Sequence, residues 1–588
     1  MFECDVTQGS QDCKAVYDGV AGVQAGNVSF TTVLQPLLSV DADSAHRGVA
    51  LQLPGMVATD KALRDASSDA EKMLEEFEVE MSMRKDVFDN ILAFSKSEEA
   101  KSLSPELKRY LEKQVNDGMR NGLHLEEAKR DEIKAVKKRI SELGVEFNKN
   151  LNEDTTFILL DQSELTGVPE DLVGSFEKDE ESGKLKVTMK YPHFFPVTRK
   201  CNNPETRLRM ETAYQTRCME ENTRILEEIV TLRQKQAELL GYENHAAYIQ
   251  EVMMAKDPGT VEQFLNDLCA QMLPLWQEEQ GVMMRMKEEE AKELGFEFDG
   301  KINYWDFRYY MTMVEEKQYA VDQEKLKEYF PMEVVTAGMM DIYQRILGLK
   351  FTRLEDGEVW HEEVELWQVD DNETGDTIGY FYLDLYPRDG KYGHACAMQL
   401  QPACLSGDGQ RQKSVVVMLC NFSKATKDKP SLLDHGEVET YFHEFGHVMH
   451  GICSQTETSR FFGTRVEWDF VEAPSQVLRE LIFLTLTCSL QMLENWCWKE
   501  ESLRLMSKHY KDGTPLPKEM LEKLVASKNA NVGIFNLRQL FFATFDQRLH
   551  TLKGTPNFAE LIRDTHKEIV DIDAIPGTNF AASFGHMG

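Results

Sequence analysis

A chain of 588 residues is long enough for several domains or for one large multi-lobed body with an extensive core. Its apolar fraction of 42% is that of an ordinary globular protein. Asp and Glu outnumber Lys and Arg 100 to 66, a formal charge of −34 that argues against nucleic acid as the main partner, because phosphate binding needs a basic footprint, and that suits a well-solvated acidic surface or the attraction of cationic ligands.

The first residues, Met1-Phe2-Glu3-Cys4-Asp5, lack a basic region leading into an apolar core and carry early acids. They read as neither a secretory signal nor a transit peptide. Most of the first 350 residues read as helix. In 126–150 the apolar positions Ile133, Val136, Ile140, Leu143, Val145 and Phe147 recur at roughly helical spacing among charges. The stretches 204–240 and 258–294 behave likewise, each with a proline near its start. Strand signals are fewer. Leu185, Val187, Met189 and Tyr191 alternate after a Ser182-Gly183 turn, as do Val364 and Leu366. From 378 to 385, Ile378, Tyr380 and Tyr382 alternate with Phe381, Leu383 and Leu385, and 414–420 is a short, nearly continuous apolar run. A small sheet is therefore expected just before residue 440 in a mainly helical protein. The longest uncharged apolar run, 481–490, is too short to span a bilayer. Eleven dispersed cysteines, an odd number, suggest free thiols and a reducing compartment. Repeats and glycine- or proline-rich linkers are absent from the sequence, so domain boundaries are weakly marked.

The segment Tyr441-Phe442-His443-Glu444-Phe445-Gly446-His447 contains H-E-x-x-H. On a helix, residues i and i+4 share a face, so both imidazoles reach one ion, and neutral imidazole suits zinc. Glu444 then lies beside the pair, close enough to act as general base on the attacking water. Among 14 histidines, chance gives this pattern on the order of a few per cent of the time. A catalytic zinc usually takes a third protein ligand and keeps a fourth position open. The metzincin extension is excluded, because positions 450 and 453 hold His450 and Cys453 in place of glycine and histidine. His450 lies about 5.4 Å further along the helix, too far to share the ion easily, so a structural role near the site is expected for it. Downstream, Glu467-Trp468-Asp469-Phe470-Val471-Glu472-Ala473-Pro474-Ser475-Gln476 supplies Glu472. Pro474 belongs in the first turn of a helix, which puts Glu472 near a helix start and completes a His₂Glu set of His443, His447 and Glu472 for one zinc per chain. Asp469 is either an acceptor for a ligand histidine's N–H or an N-cap.

At this point the chain resembles the thimet oligopeptidase and neurolysin family of metallopeptidases. The resemblance rests on Phe147-Asn148-Lys149-Asn150-Leu151-Asn152-Glu153, Trp305-Asp306 with Tyr309-Tyr310, and Glu328-Tyr329-Phe330-Pro331. It extends to Phe381-Tyr382-Leu383-Asp384-Leu385-Tyr386-Pro387, His443 through His450, and Pro576-Gly577-Thr578-Asn579. It implies a mainly α, two-lobed helical metallopeptidase with a deep central channel and a small β-sheet beside the HExxH helix, its edge open to an extended peptide. The lobes would interleave: 1–125 with roughly 220–325 and 530–565, against 126–219 with 326–588, the catalytic region centred on 360–480. The implied activity is zinc-dependent endoproteolysis of short peptides, with Glu444 as base and zinc on His443, His447 and Glu472. The resemblance further implies a cytoplasmic enzyme, or one of the mitochondrial intermembrane space or a bacterial relative with other peptide preferences. It also implies a monomer open to thiol-linked oligomers, with Cys218 and Cys453 the thiols in question, and neither nucleic acid nor membrane as partner.

Two departures from the family pattern bear on activity. Family members run from Pro-Ser-Gln directly into Met-Leu-Glu-Asn-Trp, whereas here the apolar stretch 477–491 separates Gln476 from Met492. As continuous helix it would advance the downstream chain by about 22 Å and turn it by about 60°; looped out, it would expose a hydrophobic patch. Family members also continue beyond the position of Gly588 with a glycine-rich loop and substrate-contacting tyrosines, while His586 matches a substrate-contacting histidine of the family. These departures raise the expectation of an impaired catalyst, and keep a catalytically weak or inactive peptide-binding protein on the same scaffold as the alternative.

Overall fold

The helical pattern anticipated from sequence is set by local chemistry at its ends. The 37-residue helix Pro258–Leu294 starts where the Asp257 carboxylate accepts the Thr260 N–H, with Pro258 in the first turn, and stops at Gly295 in the left-handed region (φ 78°). The stretch 204–240 is two helices instead of one, Pro204–Gln215 and Met219–Leu240. Between them Cys218 adopts φ +51°, which no continuous helix accommodates. Our computed structural model describes residues 2–319, 323–406, 409–425, 427–473, 494–554 and 557–585. His586, Pro474 and the 477–491 stretch lie outside the described residues.

Among the described residues, eight strands form two sheets. Strands β1 (Phe157–Leu160), β2 (Glu177–Lys178) and β3 (Leu185–Thr188) pair in the order β1-β3-β2. The alternation expected to run to Tyr191 ends at Thr188, because Tyr191 and Pro192 open the next helix, Tyr191–Lys200. The larger sheet has β4 (Leu349–Arg353), β5 (Glu365–Asp371), β6 (Thr377–Asp384), β7 (Cys396–Gln401) and β8 (Ser414–Leu419) in the order β4-β5-β6-β8-β7. All its neighbours are antiparallel except β6 and β8. Strands β5, β6 and β8 follow the sequence reading; β4 and β7, the two edges, do not appear in it. Strand β7 is met by the helix Gln35–Val57, whose His46 Nδ1 lies 3.1 Å from the Leu400 carbonyl.

The chain divides into two compact units, Met1–Arg130 with Asp322–Val525, and Asp131–Val321 with Ala526–Gly588. This grouping differs from the expected interleaving. The N-terminal 130 residues belong with the HExxH region, to which they are tied by contacts such as helix Gln35–Val57 on β7, and not with 220–321. In the second unit the main core gathers Trp276, Met283, Phe307, Tyr310, Phe541 and Phe545 from three long helices. Among the described residues, no helix is long and apolar enough to cross a membrane.

The helix His435–Cys453 packs on β6, β7 and β8 in the first unit. Close approach there depends on Gly379 of β6. A Cβ at that position would sit 2.7 Å from the Ser414 carbonyl oxygen and 3.0 Å from Ile452 Cδ1. Gly379→Ala is expected to destabilise the first unit by about 1–3 kcal/mol, seen as a lower thermal midpoint. An unchanged midpoint would show that the sheet relaxes without cost.

Candidate metal centre

The helix His435–Cys453 begins with a reciprocal cap: Asp434 accepts the Glu437 N–H at 2.8 Å and Glu437 accepts the Asp434 N–H at 2.8 Å. Val438, Tyr441, Phe442, Phe445, Val448, Met449 and Ile452 are buried. Phe445 meets Tyr343, Phe351 and Phe381 edge-on at centroid distances of 4.8, 5.9 and 5.3 Å. The Tyr343 hydroxyl donates to the Phe442 carbonyl at 3.0 Å, and His435 Nε2 lies 2.8 Å from the Cys497 carbonyl. The helix is thus fixed in rotation. Residues 436, 440, 443, 447 and 450 then form its less buried stripe, the 3.6-residue period carrying both motif histidines to one side.

On that stripe the rings of His443 and His447 stand 5.0 Å apart and nearly perpendicular (87°). Glu472 comes from a turn well downstream, in which Phe470 N–H bonds the Glu467 carbonyl and Ala473 N–H bonds the Phe470 carbonyl, each at 2.9 Å. One oxygen of Glu472, Oε2, lies 3.3 Å from His443 Nε2 and 3.2 Å from His447 Nε2. The three ligand atoms fall within 4.8 Å of one another, and among the described residues no other group of three His, Cys, Asp or Glu side chains converges in this way. A tetrahedral ion with bonds of about 2.0–2.1 Å spaces its donors by about 3.3 Å, and the two spacings from Glu472 to the imidazoles fit such an ion. Asp469 lies three residues before Glu472 in the same turn. His450 stays outside the group; burial and neighbouring His447 push its pKa down to about 4, and its Nδ1 is enclosed without a hydrogen-bond partner among the described residues. Glu444 is buried, which raises its carboxyl pKa; His443 opposes the rise and Glu472 adds to it. The two thiols singled out from sequence are both unpaired with other cysteines. Burial raises each, and Cys218 donates to the Asn150 carbonyl at 3.3 Å.

The sequence reading missed what holds the turn that carries Glu472. The helix Pro105–Arg120 presents Glu106, Arg109, Lys113 and Asp117 at spacings of three and four residues, a single stripe. Glu106 accepts the backbone N–H groups of Glu457 and Thr458 at 2.9 and 2.8 Å. Arg109 and Lys113 both bind Glu467 Oε1, at 2.9 and 3.2 Å, and Asp117 binds Arg460 at 2.6 Å. Five residues before Glu472, Glu467 is therefore pinned by two cations. Burial works against its charge, but its own backbone bond, Lys113 and Arg109 outweigh it, so its carboxyl stays below the usual range. That stabilisation is complete above the ordinary glutamate pKa and is lost as the pH falls through the depressed value. The periodic charges of 106–117 are the signal that reveals the clamp, once a partner is known.

Comparison with known proteins identifies the family. The Peptidase family M3 pattern matches residues 197–588. Saccharolysin of Saccharomyces cerevisiae is 37% identical over 97% of this chain and 80% of its own. The thimet-like oligopeptidase of Dictyostelium discoideum is also 37% identical, over 90% of this chain and 78% of its own. The fold is similar to that of PZ peptidase A, solved with an inhibitor, with TM-score 0.51 at 12% identity over 100% of this chain and 82% of that one. The chain therefore belongs to peptidase family M3 and is a metalloendopeptidase.

Proposed function

We propose that this metalloendopeptidase is a zinc-dependent oligopeptidase that cuts short peptides, with His443, His447 and Glu472 as the metal ligands and Glu444 as the proton carrier. The observation that carries the reading is the convergence of two imidazole nitrogens and one carboxylate oxygen within 4.8 Å of one another beside a buried glutamate. Bound zinc supplies Lewis acidity, which polarises the scissile carbonyl and acidifies the attacking water. His443 and His447, fixed by a helix that cannot rotate, set the direction of the donor set. Glu444 takes the proton of the attacking water and hands it to the amide nitrogen of the leaving peptide. The relatives named as oligopeptidases support short peptides as the substrate class. A cytoplasmic monomer is the setting that suits this reading, with the described cysteines as free thiols.

The test is turnover of a quenched fluorescent peptide by the zinc-loaded chain, with a chelator control. Chelator-sensitive cleavage is the expected result; cleavage indifferent to chelator overturns the reading. The clamp leads to a second expectation. Glu467→Gln should weaken zinc retention about 3- to 10-fold in chelator competition, the modest loss fitting a partly exposed ion pair. Retention equal to the parent chain would mean that Glu467 does not position Glu472.

A further inference from the structure

The two histidines and Glu472 stand on different supports within the first unit. His443 and His447 ride on a helix packed on β6, β7 and β8, whereas Glu472 lies on a turn that follows the loop Phe462-Gly463-Thr464. Arg109 and Lys113 hold that turn to the helix Pro105–Arg120 through a partly exposed ion pair. Their clamp sets the turn against Pro105–Arg120 and not against the bed of the histidines.

Gln399 joins the two supports. On β7 it pairs with Val416 of β8, and both face the histidine helix: a Cβ on Gly451, one turn beyond His447, would sit 2.8 Å from Val416 Cγ2 and 3.8 Å from Gln399 Cγ. Met398 and Leu400 turn the other way, toward Val57, Val417 and Leu419. The stem of Gln399 thus lies against the helix while its amide reaches the loop. The hydrogen-bond network assigns the amide's orientation: its nitrogen donates to the Phe462 carbonyl at 3.2 Å, and its oxygen accepts the Thr464 N–H at 2.7 Å and the Thr464 hydroxyl at 3.0 Å. A carboxamide carries the donor and acceptor of a peptide group, so Gln399 binds the loop as a neighbouring strand would. Gly463 makes this approach possible. Its φ of 54° lies in the left-handed region, and a Cβ there would sit 2.8 Å from Gln399 Cδ. Ser454, which caps the histidine helix, adds a tie of its own by accepting the Gly463 N–H at 3.0 Å. We propose, on the reading that Glu472 is a metal ligand, that Gln399 is a positioning residue of the metal centre: it sets the distance between the histidine helix and the segment that delivers Glu472. Both parts of its amide are needed. A carboxylate at 399 keeps the acceptor for Thr464 but turns an oxygen on the Phe462 carbonyl, and methionine keeps the stem and loses both bonds.

The test has one reading without metal and one with it, both on the full chain. In the zinc-free chain, Gln399→Met should speed hydrogen exchange over residues 462–473 by about tenfold or more and leave the helix His435–Cys453 as protected as in the parent chain. With zinc, competition with a fluorescent chelator should show retention about 5- to 20-fold weaker in Gln399→Met and about 2- to 5-fold weaker in Gln399→Glu. In a Glu472→Ala background the same Gln399→Met should cost less than about twofold, because a residue that acts through Glu472 then has nothing left to position. Equal losses in both backgrounds, unchanged exchange over 462–473, or a lowered thermal midpoint with unchanged retention overturns the inference alone. If Glu472→Ala by itself leaves retention unchanged, the ligand reading falls and the inference with it. Should Gln399→Met not fold, Gln399→Glu, which replaces one nitrogen by oxygen, takes its place in the same two measurements, and parent-like values in either overturn the inference.

Discussion

Glu444→Gln is expected to retain the metal content of the parent chain and to lose about 10²–10⁴-fold in peptide turnover. The two parts of this expectation come from different atoms. The proposed donors are the converging His443, His447 and Glu472, and Glu444 is absent from that group, so on this assignment an amide at 444 removes no donor. The amide is nearly the same size as the carboxyl, so it fills the buried position beside His443 without a cavity. It cannot accept a proton from water at neutral pH, nor return one to the leaving nitrogen. Metal analysis of the purified variant and single-turnover cleavage of a fluorescent peptide test both parts. Near-parent turnover would remove Glu444 from the chemistry, and loss of metal along with turnover would make it a structural support of the site.

How far the fold and the site can be read from sequence depends on the range of the forces that fix them. The Pro258–Leu294 helix is legible because its start and stop are local: Asp257, Pro258 and Gly295 lie in sequence beside the turns they govern. The break at Cys218 is not, because a non-glycine residue in the left-handed region carries no local signature. Strand β7, Cys-Ala-Met-Gln-Leu-Gln, has no β-branched residue and is half-buried throughout, so its alternation is faint; its pairing with β8 makes it a strand. The histidine pair is legible because a helical period is enough to bring 443 and 447 together. Glu472 is reached from sequence only through the Asp-Phe-Val-Glu-Ala-Pro pattern. Its clamp is out of reach, because Arg109 and Glu467 meet across 358 residues of chain. The grouping of the N-terminal 130 residues with the HExxH region is likewise a matter of long-range packing, which helical periodicity does not encode.

Glu472→Ala is expected to weaken zinc retention by more than about 100-fold, whereas Asp469→Ala should cost about tenfold or less. Glu472 Oε2 stands 3.3 and 3.2 Å from the two imidazole nitrogens, a spacing that suits a third donor, and on the proposed assignment it is the one carboxylate of the set. Its removal leaves two neutral imidazoles, which hold a dication without charge compensation and with half the coordination shell open to water. Asp469 sits in the same turn but contributes no atom to the converging group, so its loss acts on the site only through the shape of the turn. Glutamine at 472 separates charge from geometry: Glu472→Gln keeps an oxygen donor and should fall between the parent chain and the alanine variant. Competition with a fluorescent zinc chelator gives all four affinities on one scale. Equal losses at 469 and 472, or none at either, would reject Glu472 as a ligand. The predicted order, with glutamine between, would mean that the negative charge carried by this turn, and not its shape alone, is what the two histidines require to hold the metal.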